Sequence, residues 1–416
     1  MADQPIRIML ADDFTGAMDA GMQLLGTYSD IPVILSRDKI PQVSAPWMVL
    51  NTQSRNLPAQ EALAVYNHLI PGMDTLGQIG YLKVDSTLRG NIGIMLEAFL
   101  SHGIPQILLA PALPAGNRKT VHGVHYVDGV PLSRHEISHD PFSSVHSDRV
   151  EDIIHAQTAL PVSHLDLEQV RSASPEALAQ ALRQMHSIVL ADSETEEDLN
   201  KLAEVLRLAP HVLPSGSAGL ISAMYGRART VDAEHTTETP ALILRGSPAH
   251  IGRQQLENAQ AELPDLKVFQ VNPFSDTQEQ IEKTTQSVLD TLRRGGSVAV
   301  DAAAGSKTDP VFLNLEGAKL REQQAQIQHY LNRTALECCS AGLVHQLILM
   351  GGDSACGILE ALDASWIRLY GAALPLIPAG VIMDGVARGV HVVTKAGGFG
   401  KVSTITQLLE ATHDAQ

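Results

Sequence analysis

The chain has 416 residues, 44% hydrophobic and 18% charged, which is enough to bury a sizeable core in two domains and too apolar for a disordered chain. Its formal net charge of −16 argues against nucleic acid and anionic membrane surfaces as partners, and an anionic substrate would need the field reversed locally by Arg and Lys. Cys338, Cys339 and Cys356 form no CxxC pair and no signal-peptide or membrane-length apolar run is present, so a disulfide framework is not expected and a cytoplasmic location is.

The first element is a buried strand over Ile6–Ala11 that stops at Asp12-Asp13, with Thr15 as the expected N-cap of a small-residue helix opening at Ala17. A buried strand running into a helix N-terminus is a usual ligand address in open α/β sheets, although paired acids are also ordinary turn and cap residues. Strands are expected at Val33–Leu35, at Trp47–Leu50 running into Asn51-Thr52-Gln53-Ser54-Arg55, and at Tyr81–Val84 running into Asp85-Ser86-Thr87-Leu88-Arg89-Gly90-Asn91. Pro58 suits a first helical position, with Leu63, Val65, Leu69 and Ile70 as candidate buried residues. A helix over 92–101 and a strand at Ile107–Ala110 follow. The alternation predicts a doubly wound parallel sheet.

Residues 111–148, rich in Gly, Pro and His, read as an excursion with a hairpin around Asp128-Gly129. Ser174 with Pro175 opens the next helix, and Ile188–Ala191 is a strand. Ser193 and Glu196 suggest a capping box for a helix that buries Leu199, Leu202, Val205 and Leu206. A strand at His211–Leu213 leads to a helix opened by Gly216-Ser217. A polar run then marks a linker at 229–240, between an N-terminal domain over 1–228 and a C-terminal domain over 241–416. In the latter, strands are expected at Leu242–Leu244, Val268–Val271, Val298–Val300, Leu347–Met350 and Val390–Thr394. Ser275 with Gln278 would cap one helix, and another spans about 322–341.

Three N-terminal strand ends collect Asp12-Asp13, Ser54-Arg55 and Lys83-x-Asp85-Ser86-Thr87-x-Arg89. Arg forks a carboxylate while Asp, Ser and Thr take hydroxyls, so these residues suit a small hydroxylated anion. Three C-terminal strand ends carry Arg245-Gly246-Ser247, Gly351-Gly352-Asp353-Ser354 and Lys395-Ala396-Gly397-Gly398. Together they suggest a cradle for nucleotide phosphates, because glycine lets backbone amides approach an anion. Neither Ala304-Gly305-Ser306-Lys307-Thr308 nor Gly400-Lys401-Val402 completes a P-loop, and no dinucleotide fingerprint follows a strand. His135-Glu136-Ile137-Ser138-His139 matches the zincin spacing, but Pro131 and Asp140-Pro141 leave no room for the helix it needs. His122 and His125 read as polar loop residues, and Cys338-Cys339 as core packing; no metal ligand is assigned.

The segments ADDFTGAMDAG, NTQSR, KVDSTLRGNIG, PALPAGNRKTVHGVHYVDGVPL, SGSAGL, GSPAHIGRQQ, GGDSACGILEAL and TKAGGFG, in this order, resemble the four-carbon acid sugar kinase family along nearly the whole chain. The resemblance implies an α/β protein of two domains, each a mostly parallel sheet flanked by helices, with the active site in the cleft between them. It implies ATP and Mg²⁺, phosphorylation of the terminal hydroxyl of D-threonate, D-erythronate or a 3-oxo-tetronate, and closure that excludes water. Asp12, Asp85 and Lys83 would then be catalytic, and Asp13, Ser54, Arg55, Ser86 and Arg89 would bind the acid, with Arg55 and Arg89 on its carboxylate. Gly246, Ser247, Gly351, Gly352, Asp353, Ser354, Gly397 and Gly398 would bind the nucleotide. Pro248-Ala249 and Ser354 depart from residues common in the family. The choice between Asp12 and Asp85 as base stays open, as does the choice of acid, with D-threonate favoured on resemblance. A homodimer is the working expectation for oligomeric state. A zinc hydrolase built on His135 and a non-catalytic sugar-acid sensor are the rival readings.

Overall fold

The computed structural model describes residues 5–36, 39–41, 43–139, 143–226, 240–247, 249–303 and 318–410. Pro248, the Ala304–Thr308 segment and nearly all of the expected linker lie outside the described residues. Backbone contacts divide the chain into two units, Met1–Val33 with Gln42–Ala228, and Ile34–Pro41 with Arg229–Gln416. A short piece of the N-terminal half, Ile34–Pro41, therefore belongs to the second unit, where the Leu35 amide donates to the Ser365 carbonyl (2.8 Å).

The sheet of the first unit is built from β1 (Arg7–Ala11), β2 (Ile31–Ile34), β3 (Trp47–Asn51), β4 (Gln78–Lys83), β5 (Gln106–Ala110), β9 (Val162–Leu165), β10 (Ile188–Ala191) and β11 (Val212–Gly216). Its order is β2-β3-β1-β4-β11-β5-β10-β9, and the pairs from β3 through to β9 are parallel. Ile8, Met9 and Leu10 are fully buried, as expected for a central parallel strand covered on both faces, which is why β1 reads as an unbroken apolar run. β1 lies between β3 and β4 with Ala11 opposite both Asn51 and Lys83, so the three polar C-terminal ends meet at one edge.

The helix after β1, α1 (Phe14–Leu24), is capped by Asp13 rather than Thr15: Asp13 Oδ1 accepts from the Gly16 amide at 2.8 Å. A carboxylate satisfies the free amide and also meets the positive end of the helix dipole. Pro58 is the N-cap of α2 (Ala59–Leu76), not its first residue, and Leu63 is exposed although Val65 and Leu69 are buried. α3 (Ile92–Ser101) follows β4 where the sequence places it. The excursion forms a three-stranded antiparallel sheet of β6 (Arg118–Val121), β7 (Val124–Val127) and β8 (Val130–Pro131). Asp128 and Gly129, with φ of 50° and 79°, make the expected tight hairpin turn. His125 on β7 is fully buried, contrary to its reading as a loop residue. The HEISH segment follows a 3₁₀ turn over Leu132–Arg134 and itself folds as a 3₁₀ turn over Glu136–His139, so it lacks the α-helical face that a zincin pair requires.

Two capping boxes shift by two residues. Thr195 and Asp198 cap the helix Glu196–Leu208, because Ser193 is held extended by amide–carbonyl exchange with Thr120. Thr277 and Gln280 cap Gln278–Arg293, since the Ser275 amide is engaged in a turn with the Asn272 carbonyl.

The second unit contains β12 (Ala241–Arg245), β13 (Lys267–Gln270), β14 (Val298–Asp301), β15 (Gln346–Met350), β16 (Trp366–Leu374), β17 (Ile377–Ile382) and β18 (His391–Lys395), ordered β13-β14-β12-β15-β18-β17-β16. The first five positions are parallel, and β17 pairs antiparallel with both β18 and β16. Ile243, Ile348 and Val393 of the sheet pack with Leu256 and Ile405 of the helices His250–Glu262 and Thr404–Glu410. Cys338 and Cys339 are buried near the end of the helix Ala318–Ser340, and burial pushes both thiols up to about 12, as inert core residues. Among the described residues no helix is long and apolar enough to cross a membrane.

Candidate active site

At the polar edge of the first unit, Arg55 forks Asp12, with Nε 3.0 Å from Oδ2 and Nη2 2.8 Å from Oδ1. Its Nη1 lies 2.6 Å from Asp13 Oδ2, and Nη2 lies 4.0 Å from Asp85 Oδ1. Arg55 thus ties the end of β1 to the loop after β3. Asn91 closes that loop by donating to the carbonyls of Ser54, Arg55 and Leu57. Ser54 is fully buried and its hydroxyl pairs with Thr52 and Tyr66, so this expected substrate contact faces the interior.

Asp85 gathers the loop after β4. Its Oδ2 accepts from Thr87 Oγ1 at 2.5 Å and Arg89 Nε at 2.6 Å, while Oδ1 is beyond hydrogen-bond reach of Arg55. Burial alone would raise Asp85, but Arg89 and Arg55 outweigh it and hold the carboxyl well below its usual range. Asp12 goes the other way: burial raises it, against the opposing charge of Arg55. Lys83 is buried, and its ammonium donates only to the Val84 carbonyl among the described residues (2.9 Å). Gly16 leaves room beside it, because a Cβ there would lie 3.0 Å from Lys83 Nζ and 2.5 Å from Asp13 Oδ1.

Two further charges belong to this cluster and were not picked out from the sequence. Asp19, in the second turn of α1, interacts with Lys83 and Arg118, and its Oδ1 is buried without a hydrogen-bond partner among the described residues. Arg118 at the start of β6 interacts with Asp85 and Asp19. The signal for Asp19 was its i,i+3 spacing from Gly16 on one face of α1; Arg118 carries none, since only folding of the excursion brings it here. Asp12, Asp13, Asp19 and Asp85 therefore face Arg55, Lys83, Arg89 and Arg118. Among the described residues these four acids stand against four bases, so the acidic background is offset here rather than reversed. A carboxylate placed here would be held by directed hydrogen bonds more than by field strength.

In the second unit the ends of β12, β15 and β18 converge. A Cβ on Gly246 would lie 2.2 Å from Ser354 Oγ, one on Gly351 would lie 3.1 Å from Ser247 Cβ, and one on Gly397 would lie 2.0 Å from Ser247 Oγ. These glycines are required by the packing of the loops against Ser247 and Ser354, whereas nothing lies near Gly398. Gly351, at φ 118°, caps the helix Gly352–Ala361, whose N-terminal amides are suited to phosphate, and Asp353 stands in its first turn. Lys395 braces the last loop from within, donating to the carbonyls of Ala396 (2.9 Å), Gly397 (3.4 Å) and Phe399 (2.8 Å). Burial and the charge of Arg245 pull Lys395 down to about 7. Arg245 itself is buried against Asp301. Among the described residues no group of three or more His, Cys, Asp or Glu could hold a metal.

A family model described as a sugar-binding N-terminal domain matches residues 7–224, and one described as a nucleotide-binding C-terminal domain matches 242–405. A D-threonate kinase of Salmonella typhimurium is 31% identical over 97% of both chains. The chain belongs to the four-carbon acid sugar kinase family. It is a sugar-acid kinase. Other relatives are a D-erythronate kinase of Heliobacterium modesticaldum (26% identity, 94% of this chain and 93% of the relative) and a 3-oxo-tetronate kinase of Pseudomonas fluorescens (25%, 95% of each). The fold is shared with crystal structures from Salmonella typhimurium (TM-score 0.78, 19% identity, 99% of both chains) and Haemophilus influenzae (TM-score 0.70, 20% identity, 97% and 100%).

Proposed function

We propose that this kinase transfers the γ-phosphoryl group of ATP to the 4-hydroxyl of a four-carbon sugar acid, with D-threonate as its first substrate. The relatives named D-threonate kinase at 31% and 28% identity support that choice over D-erythronate and a 3-oxo-tetronate. The observation that carries the reading is the cluster of acids and bases around Lys83, a buried cation whose ammonium donates, among the described residues, to the Val84 carbonyl alone. Arg55 is consumed by Asp12 and Asp13, so Lys83, assisted by Arg89, binds the substrate carboxylate, and Arg55 keeps the loops in register. Asp85 Oδ1 takes the hydrogen bond of the 4-hydroxyl and then its proton. Phosphoryl transfer passes through a loose transition state in which the proton leaves late, so a weakly basic carboxylate suffices.

On the nucleotide side, the amides at the start of Gly352–Ala361 and the Gly397-Gly398 backbone hold the phosphates, with the hydroxyls of Ser247 and Ser354 beside them. The glycine cradle fits such a group. Asp353 is the carboxylate this loop would offer to Mg²⁺, which would supply charge neutralisation at the phosphates. The test is a coupled ADP-release assay over D-threonate, D-erythronate, L-threonate and 3-oxo-tetronate, with the product identified by phosphorus NMR. D-Threonate-dependent ADP and a 4-phosphate are expected. ADP release indifferent to every acid would overturn the reading.

A further inference from the structure

The buried imidazole of His125 joins the β6-β7 hairpin to the loop that carries Asp85. Its Nε2 lies 2.9 Å from the Ser86 carbonyl oxygen, and its Nδ1 lies 3.0 Å from Thr120 Oγ1. A carbonyl can only accept, so Nε2 carries the proton, and Nδ1 is left to accept from the Thr120 hydroxyl. Both His125 and Thr120 are fully buried. Burial pulls the imidazole down to about 4, so the ring stays neutral and the tautomer is fixed by its neighbours.

The consequence lies on the far side of the peptide. Ser86 C=O and Thr87 N–H share one trans peptide unit and point in opposite directions. With the carbonyl held toward His125, the Thr87 N–H is turned away from the hairpin. It has no hydrogen-bond partner among the described residues, although Thr87 is only 1% exposed. Buried amides are nearly always paired, so one left open beside Asp85 and Arg89 is a donor waiting for a ligand. We propose that His125 is a positioning residue: through the Ser86 carbonyl it aims the Thr87 amide at the carboxylate of the sugar acid, with Thr120 selecting the required tautomer. This rests on the substrate reading given above and adds a main-chain donor to Lys83 and Arg89.

The test compares His125→Leu, His125→Gln and Thr120→Val in the full chain by steady-state kinetics, with the nitrogen NMR shifts of His125 recorded in the wild-type protein. Leu removes the donor, and the KM for the acid should rise about tenfold or more with the KM for ATP unchanged. Gln can present an N–H where Nε2 stands and should recover most of that loss; Thr120→Val should give a smaller loss in the same direction. The wild-type NMR spectrum should show the Nε2–H tautomer, a readout that holds whether or not His125→Leu folds. An Nδ1–H tautomer, an unchanged acid KM in folded His125→Leu, or a Gln variant as impaired as Leu for both substrates would overturn the assignment while leaving the kinase reading intact. Wild-type protein that turns over no acid would instead remove the kinase reading.

Discussion

Replacing Lys83 by Met keeps the length and apolar stem of the side chain and removes one charge from the cluster around it. Among the described residues of the cluster, Asp12, Asp13, Asp19 and Asp85 would then face Arg55, Arg89 and Arg118, and the charge of Lys83 that now favours ionised Asp12 and Asp19 would be gone. Among the described residues the lysine makes one hydrogen bond, to the Val84 carbonyl, so little internal bonding is lost, and the main effect falls on the ligand. A charge-assisted hydrogen bond to a carboxylate is worth about 1.5–3 kcal/mol, or roughly 10- to 100-fold in acid affinity. Coupled-assay kinetics should show the acid KM raised by that factor and the ATP KM unchanged. Lys83→Arg should recover little, because the longer guanidinium must fit beside Gly16 and Asp13. Should Lys83→Met fold and bind the acid as tightly as wild type, with Arg55→Lys abolishing binding in the same assay, the carboxylate belongs to Arg55 and the assignment of Lys83 fails.

Asp85→Asn should lower kcat at least about 100-fold, because the amide cannot accept the hydroxyl proton; unchanged steady-state turnover would remove Asp85 from the mechanism. Gly246→Ala drives a methyl to 2.2 Å from Ser354 Oγ and 2.9 Å from Leu331 Cδ1, so urea melts should show a loss of about 1–3 kcal/mol and titration calorimetry a weakened ATP complex. Gly398→Ala, which meets nothing within 4 Å, should leave urea stability near wild type. Lys395 binds its proton more weakly in the folded protein, near pH 7, than its ordinary 10.5 when unfolded. The unfolded chain therefore holds more protons between those values, and stability should rise with pH from 7 to 9 by up to about 2 kcal/mol relative to Lys395→Met. Parallel urea curves for the two proteins across that range would contradict it.

The residues proposed to recognise the acid were partly visible as strand ends. The apolar runs of β1 and β4 identify buried parallel strands, and the polar residues directly after them had to gather at one edge. The helix starts were less legible. Ser193 and Ser275 carry the right side chains for caps, but their backbones are committed to a bridge with Thr120 and a turn at Asn272, so Thr195 and Thr277 took the role. The antiparallel pair β16-β17 was less legible because burial in β16 is uneven, its register is broken by bulges, and Pro378 and Gly380 interrupt the apolar run of β17.

Local order in the chain determined which residue types stand at the ends of buried strands, since strand length and the turn that follows are set by near neighbours. Their partners are a different matter. That Ser54 turns inward, that Arg55 is spent on Asp12 and Asp13, that Asp19 and Arg118 join the cluster and that His125 grips the Ser86 carbonyl were decided only when distant segments packed together. A side chain's chemistry is written in its type, but whether its donors and acceptors remain for a ligand depends on which of them the fold has already used.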